Sequence, residues 1–582
     1  MVLSGTNSGG VMARYLRTSK QSKSAEKGLY LQIYESNHVP GLGSRSQLVK
    51  TIGYVKDEEA KGIKDPVEYY RKSIKKFNEN EKKRKESEKA ERISDSIPIK
   101  NVGYFLAKAV LNKLDIRNDI NCYDIIRNCQ FNHYDMLEAL VCSKIMAPGP
   151  ICKTAEEVIP SFYEKYSLTR NQIYDEYPFL GSEYEAIIQI FNRAVKDKYG
   201  RKTDKVYFDC TNYYFEIDYE SGDKQKGPSK ENQNSPIIGM ALMLDSDKIP
   251  LGMKMFPGNE SEKPEMRKMA AELKKKGEIK GKTIFVADKG LNCISNISQI
   301  LLDKNGYIFS KSVKQLSDAE KEWLLEQKDF TEHIEDGEVK YKYYEFEDDF
   351  KYRVKNSVGK ITEVELPEKR VLTYNPSLAK KQIAEINKLV SKAKELSASK
   401  SKKSEYGEAS KYVQFKSIDK KTGELTDDII AQINIDKVNM DINLAGYNLL
   451  VTSEKEMNAT EIYSVYHNLW KIEESFRYLK TFLEARPVYV SNSDSIYGHF
   501  LICYLSLLII RLMEIKEFKN KICDSKITEF IRKFNVLVDK KKIINCTAMS
   551  IAKHVDDLIP KQDLTKKYYT DKEILNILNF GF

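Results

Sequence analysis

From Asn458 to Glu484, apolar residues recur at Ile462, Val465, Leu469, Ile472, Phe476, Leu479 and Leu483, in steps of three and four. That spacing predicts the buried face of one helix of about seven turns. Asn458, with Glu461 three residues on, reads as the capping box that opens it. Tyr466, Glu473 and Lys480 recur every seven residues. They form a second stripe about 60° from the apolar seam, with Arg477 almost on the same line. A carboxylate flanked by a phenol and two cations is either one edge of a site or a solvated Glu–Arg pair at i, i+4. Spacing alone leaves both readings open.

Elsewhere the period changes several times. Residues 1–26 are polar and rich in Ser, Gly and Lys, which predicts a flexible leader. Leu29–Ser36 and Gln47–Val55, joined by the turn-rich NHVPGLGSRS, predict a β-hairpin. Asp65-Pro66 opens a charged helix reaching about Arg92, with ten Lys/Arg against five Asp/Glu from Arg71 to Arg92. Such a run is a solvated helix face or a phosphate-contacting arm. Residues 101–199 read as a helical bundle interrupted at Pro148, Gly149 and Pro150.

Lys205–Asp218 then reads as a strand with Asp209 at its centre, and Ser235–Gly258 as two strands around the turn Asp245-Ser246-Asp247-Lys248. A helix follows. Lys282–Leu301 reads as a strand ending at Asp288, a Lys-Gly-Leu turn and another helix. Three strands, a helix, a strand and a helix define a mixed α/β sheet. Residues 310–445 are strongly charged, with short alternating segments and a basic helical stretch from Ser377 to about Ser404, and predict an inserted β-rich domain. Gly446–Glu454 returns to strand character ahead of the seven-turn helix. Asp494–Glu514 is an apolar helix carrying Gly498-His499, read as helix packing, and the remainder reads as helical and basic. The domain reading is therefore a leader (1–26), a hairpin, basic helix and bundle (27–200), a first core part (201–309), the insertion (310–445), a second core part (446–515) and a helical C-terminal region (516–582).

A chain of 582 residues has room for about three or four domains. Its formal net charge of +10 is mild for that length but permits an anionic partner. Nine cysteines without a CxxC pair and six dispersed histidines argue against a disulfide framework and a zinc site, and predict reduced thiols inside a cell. The start MVLSGTNSGG lacks an apolar signal core. Phe500–Ile510 is about half what a bilayer requires. It predicts a core helix and no membrane partner.

An aspartate in the middle of an apolar strand is costly to bury unless it meets a cation or a hydrogen-bond donor. Asp209 is such a residue, and Asp288 ends the next long apolar strand. With Glu473 they would make a three-carboxylate cluster of hard oxygen ligands, suited to Mg²⁺ or Mn²⁺. Two such ions about 4 Å apart can drive phosphodiester transfer. Each carboxylate taken singly reads as a turn or cap, as do Asp218, Asp245, Asp247 and Asp303.

In combination, VYFDCTNYYFE, GMALMLDSDKIPLGMKMFPGNESE, IFVADKGL and YHNLWKIEESFRYLK resemble the successive motifs of insertion-sequence DDE transposases. The branch they resemble is the IS-four-like one, which carries a β-rich insertion between the second Asp and the Glu. YLQIYES, LVKTIGYV, VGYFLAKAVLNKLDI and SIYGHFLICYLSLLIIRLME extend the resemblance from about residue 29 to 515.

The resemblance implies an RNase H-like core whose Asp209, Asp288 and Glu473 are catalytic and bind two Mg²⁺ ions, with Mn²⁺ as substitute. The family's helix motif runs Tyr, two residues, Arg, three residues, Glu, six residues, Lys. Tyr466, Glu473 and Lys480 match it, and Tyr466 and Lys480 are implied to bind DNA near the scissile bond. The Arg position is Leu469 here, on the apolar seam. Arg477 then supplies a phosphate contact instead, or neutralises a carboxylate. Trp470, inside the motif, reads as packing. Trp323, in the insertion, reads as a local core residue or, as in related enzymes, a base-stacking one.

The implied partners are double-stranded DNA, as terminal inverted repeats bound by residues 27–200 and as target, and a second copy in a homodimer on DNA. The implied location is the bacterial cytoplasm, at the nucleoid. The implied reaction is hydrolysis at the element's ends and joining of the 3′-OH ends to target DNA. A metal-dependent nuclease without strand transfer and a disabled DNA-binding copy are the alternatives.

Overall fold

The computed structural model describes residues 13–39, 43–90, 99–127, 131–230, 234–355, 361–398, 403–418, 425–539 and 542–582. The first twelve residues of the expected leader and the last two of the basic run lie outside the described residues. The chain divides into two units, Met1–Ile97 and Pro98–Phe582.

In the first unit, β1 (Ala13–Ser19), β2 (Tyr30–Val39) and β3 (Gly43–Tyr54) form an antiparallel sheet in that order. Tyr30 pairs with Tyr54, so the expected hairpin forms. A third strand occupies residues expected to be leader, because Arg14 gains more than a ladder. Its backbone N–H and carbonyl are both held by the Asn78 side chain, at 3.0 and 2.9 Å. Asn78 lies on α1 (Pro66–Ala90), where Asp65 Oδ1 accepts from the Glu68 N–H at 3.0 Å and Pro66 takes the first helical position.

The second unit is built on one large mixed sheet. After β4 (Ile99–Asn101) come β5 (Lys205–Tyr214), β6 (Ile237–Leu244), β7 (Pro250–Pro257), β8 (Ile284–Ala287), β9 (Gly306–Lys311), β10 (Thr331–Glu335), β11 (Glu338–Lys355) and β12 (Ile361–Tyr374). The chain continues through β13 (Val413–Ile418), β14 (Leu425–Ile433), β15 (Tyr447–Thr452), β16 (Asn535–Asp539), β17 (Lys542–Asn545) and β18 (Tyr568–Tyr569). Nine of these pair in the order β10-β11-β12-β15-β9-β8-β5-β6-β7. β8 runs parallel to both β5 and β9, and the other pairs are antiparallel.

Alternation along β5 sorts the two faces. Val206, Phe208 and Cys210 enter one core with Met266, Met269 and Leu273 of α2 (Glu262–Lys275). Tyr207 and Tyr213 enter the other, with the apolar seam of the motif helix. All seven seam residues, Ile462 to Leu483, are buried. The expected single helix is two, α3 (Ala459–His467) and α4 (Trp470–Thr481). Leu469 N–H bonds to the Tyr466 carbonyl and Ile472 N–H to that of Leu469, at 2.9 and 3.0 Å. These i→i−3 bonds tighten one turn at the joint. Asn458 does cap the start, its side chain accepting from the Glu461 N–H at 2.8 Å.

In three places the structure arranges the strands and helices differently from the pattern the sequence suggests. β10–β12 extend the central sheet through the pairing of Leu372 with Leu449, so they form no sheet of their own. Among the described residues, the helix Pro376–Ala398, the segment Lys403–Tyr412 and the hairpin β13–β14 stand outside that sheet as an excursion, with a small core around Ala393, Tyr406 and Ala409. The C-terminal region is not purely helical, since β16, β17 and β18 form a four-stranded sheet with β4 in the order β18-β17-β16-β4. Strands of two to five residues are too short to show a period. The helical bundle belongs to the second unit, not with the hairpin and basic helix. Its helix Arg170–Ser182 crosses α5 (Ser493–Arg511) at two glycines. A Cβ on Gly181 would stand 1.7 Å from the Asp494 carbonyl oxygen, and one on Gly498 2.1 Å from that of Tyr177. Ser493–Glu517 is, among the described residues, long and apolar enough to cross a membrane, but 94% of its apolar window is buried inside the protein.

Candidate active site

The parallel ladder of β5 and β8 pairs Phe208 with Ala287, which sets Asp209 beside Asp288 one step further on. On the other side of β8, Ala287 pairs with Phe309, so Ser310 stands next to Asp288. Parity puts Asp209, Asp288 and Ser310 on the sheet face of Tyr207, Val286 and Ile308, the face covered by α3 and α4. The buried Ser310 hydroxyl donates to Asp288 Oδ1 at 2.9 Å, and the Tyr466 hydroxyl donates to the same oxygen at 3.1 Å. Burial, and then the neighbouring Asp288 charge, push the Tyr466 phenol up, so it remains a donor.

Asp209 is the less satisfied of the pair. Its Oδ1 accepts from the Cys210 N–H at 2.7 Å, and the Lys230 ammonium lies 3.9 Å away. Burial pushes its carboxyl up to about 6, with Lys230 opposing and Glu262 and Asp288 adding to the rise. A carboxylate so desolvated and crowded by like charge is one that a cation relieves.

Glu473 lies on the exposed side of α4, within electrostatic reach of the Tyr466 phenol. Among the described residues no three His, Cys, Asp or Glu side chains converge as a group able to hold a metal ion. The structure thus joins Asp209, Asp288 and Tyr466 and leaves Glu473 at the rim. Lys480 is half-buried, its ammonium 5.4 Å from the Tyr213 ring centre. Burial, then the proximity of Lys230, lower its pKa. Arg477 is exposed and sits 3.8 Å from Glu474, so the i, i+4 pairing with Glu473 is not the one made. Leu469 is buried in the seam as expected. Trp470 is 42% exposed with the Lys471 ammonium 4.1 Å above its ring, which departs from the expected packing role. Trp323, 40% exposed, turns a ring edge to Phe346. Asp245 is structural: it caps the turn through the Asp247 and Ile249 N–H groups and pairs with buried Arg201 at 3.0 Å.

Sequence reasoning missed Ser310, Lys230, Glu262 and Glu474. Ser310 is a polar residue at an inward position of an apolar strand, a signal hidden by placing a domain boundary there. Glu474 accepts from the buried Arg511 at 3.2 Å and anchors α4 one residue from Glu473.

The site is an aspartate pair at the middle of a mixed α/β sheet, backed by hydroxyl donors and rimmed by lysines. The family model described as Transposase DDE domain matches residues 207–509, which spans both aspartates and Glu473. This chain belongs to that family of DDE transposases. No curated protein matches it. Among solved structures it is similar to one described as a cryo-EM structure of piggyBac transposase synaptic complex with hairpin DNA. Identity is 10% and the TM-score 0.32, over 77% of this chain and 75% of that one. A likeness at that level carries no argument.

Proposed function

We propose that this chain is the transposase of an insertion sequence of the IS-four-like branch, cutting double-stranded DNA at the element's terminal inverted repeats and joining the freed ends to target DNA. The observation that carries the reading is the juxtaposition of Asp209 and Asp288 across β5 and β8 inside the matched family segment. The segment 201–309 with 446–515 is read as an RNase H-like core, and 310–445 as the branch's insertion, fused to the sheet edge.

The donor set fits a hard dication, because it is all oxygen and because the Lys230 ammonium, 3.9 Å from Asp209, only partly offsets the burial of that carboxylate. Two Mg²⁺ ions, or Mn²⁺ in their place, held by Asp209, Asp288 and Glu473, would supply activation of the attacking oxygen and stabilisation of the leaving one. Around that centre the chain's own groups orient and hold. Tyr466 and Ser310 fix the rotamer of Asp288 by sharing its Oδ1. Lys480 holds a phosphate near the scissile bond, with Arg477 exposed to reach the strand beyond it. In the first step water attacks phosphorus and the element's 3′ oxygen leaves as a hydroxyl. In the second that hydroxyl attacks a target phosphodiester, and the target's own 3′ oxygen leaves. Residues 27–200 would recognise the inverted repeats, and a homodimer on DNA would bring two ends together in the bacterial cytoplasm.

Pre-cut ends bearing 3′-OH, supplied with supercoiled target plasmid and Mg²⁺, test the joining step. Joined products support a transposase. Plasmid nicking without joining would favour a nuclease, and binding alone a disabled copy.

A further inference from the structure

The first unit carries a groove of about 500 Å³ between α1 and the edge strand β1. Asn78 ties its two walls together, since its side chain holds both the N–H and the carbonyl of Arg14, at 3.0 and 2.9 Å. Arg14 is fully engaged in that wall. Its guanidinium lies 3.9 Å above the Phe77 ring and pairs with Glu35 at 3.3 Å. Because the Arg14 backbone groups face away from β2, strand alternation turns those of Leu16 to the same open edge, where Leu16 also lines the groove.

The helix wall is different. Arg71, Lys75, Asn78 and Lys82 fall within about 60° of one another around α1, in steps of four, three and four. The three cations therefore form one exposed stripe about 16 Å long, lining the groove on either side of Asn78. A merely solvated face pairs such cations with carboxylates one turn away, and α1 does so elsewhere: Lys72 meets Glu68 at 3.0 Å. Among the described residues, Arg71, Lys75 and Lys82 lie within ion-pair distance of no carboxylate, although Glu79 shares the groove. Like charges in a row along a concave surface are relieved by a polyanion that follows it. A DNA strand, with a phosphate about every 3.4 Å of duplex axis, presents several to a stripe of this length.

We propose that this groove is a DNA-backbone contact surface, in which Arg71, Lys75 and Lys82 each hold a phosphate and the edge strand β1 forms the opposite wall. The proposal rests on the reading of the chain as an enzyme acting on DNA ends, and it names the surface of the first unit that holds them. It also brings residues 13–19 into the interface. Contacts of this kind position the duplex and carry no sequence information.

The test is binding of the full chain to a fluorescent duplex carrying the DNA that flanks its reading frame, and to an unrelated duplex, in EDTA at several salt concentrations. Arg71→Gln, Lys75→Gln and Lys82→Gln are combined in one groove variant. Its control, Lys72→Gln with Lys76→Gln and Lys83→Gln, removes the same charge from a stripe about 100° further round α1. The groove variant is expected to bind both duplexes on the order of 100-fold more weakly at about 0.15 M salt, with the slope of log affinity against log salt lower by about three. The control is expected to keep the native slope. Native affinity and slope in the groove variant would overturn the proposal. So would equal losses in the two variants, which is the result a solvated face gives through net charge alone. A native protein that binds neither duplex fails the DNA reading and the proposal with it, whereas native binding with an unaffected groove variant fails the proposal alone.

Discussion

The hydroxyl of Tyr466 donates to Oδ1 of Asp288 at 3.1 Å, across 178 residues of sequence. This bond ties the motif helix to the end of β8 and is shared with Ser310. Tyr466→Phe removes it without creating a cavity. Metal affinity is expected to fall by about 10- to 100-fold, the usual effect of losing a group that orients a ligand. Stability is expected to change by only about 1 kcal/mol. Mn²⁺ titration beside a urea melt checks both, and an unchanged metal affinity would mean that Ser310 alone orients Asp288.

A second expectation concerns pH. Asp209 has its carboxyl raised to about 6 by burial, so between about pH 4 and 6 the folded chain binds more protons at this site than the unfolded one. Stability contributed here is therefore present below the unfolded pKa and lost as pH rises through the folded one. Asp209→Asn removes that loss. Metal-free Asp209→Asn is expected to be more stable than native at pH 7, by up to about 3 kcal/mol, and equal to it near pH 4. Melting curves at the two pH values measure the difference, and the native protein being the more stable at pH 7 would contradict it.

Leu469 occupies the position where the resembled helix motif has Arg. Its side chain is 6% exposed, at the tightened turn between α3 and α4. Leu469→Arg forces a guanidinium into the apolar seam and is expected to cost about 3 kcal/mol or more, with no gain in cleavage. Denaturant unfolding and a cleavage assay together would show whether the position tolerates the family residue.

Arg511 is 1% exposed and is surrounded by Glu514, Asp524 and Glu474 at 2.5, 3.4 and 3.2 Å. Arg511→Met leaves these carboxylates without their common partner, at an expected cost of about 3–5 kcal/mol. Because Glu474 adjoins Glu473, the same variant is expected to cut DNA more slowly at temperatures where it is still folded. Full cleavage with reduced stability would show that the network supports the core but not the site.

The close crossing of α5 and Arg170–Ser182 gives a separate check on packing. Gly181→Ala places a methyl group 1.7 Å from the Asp494 carbonyl oxygen, so the helices must part. A loss of about 1–3 kcal/mol or more is expected from overpacking, read as a lower thermal midpoint.

The apolar seam from Ile462 to Leu483 was legible because a period of three and four over many turns has few other meanings, and every seam residue is buried. The strands around Asp209 and Asp288 were legible for the same reason: long apolar runs broken by one charge. Pairing was not. That β8 lies parallel between β5 and β9, and so puts Ser310 beside Asp288, depends on strand order, which no local pattern encodes. The joint at Leu469 was hidden because an i→i−3 turn leaves the seam's spacing almost unchanged. Lys230 lies in a loop between β5 and β6, where tertiary contacts such as its N–H donating to Asn212 Oδ1 reveal its place.

The most direct test of the account is Mg²⁺-dependent cleavage of the DNA ends flanking this reading frame, by the native chain and by Glu473→Gln. The account predicts that the native protein releases a 3′-OH at each end and that Glu473→Gln binds the same DNA without cutting it. Cleavage that survives in Glu473→Gln would contradict it, because the carboxylate at the rim of the aspartate pair would then lie outside the chemistry.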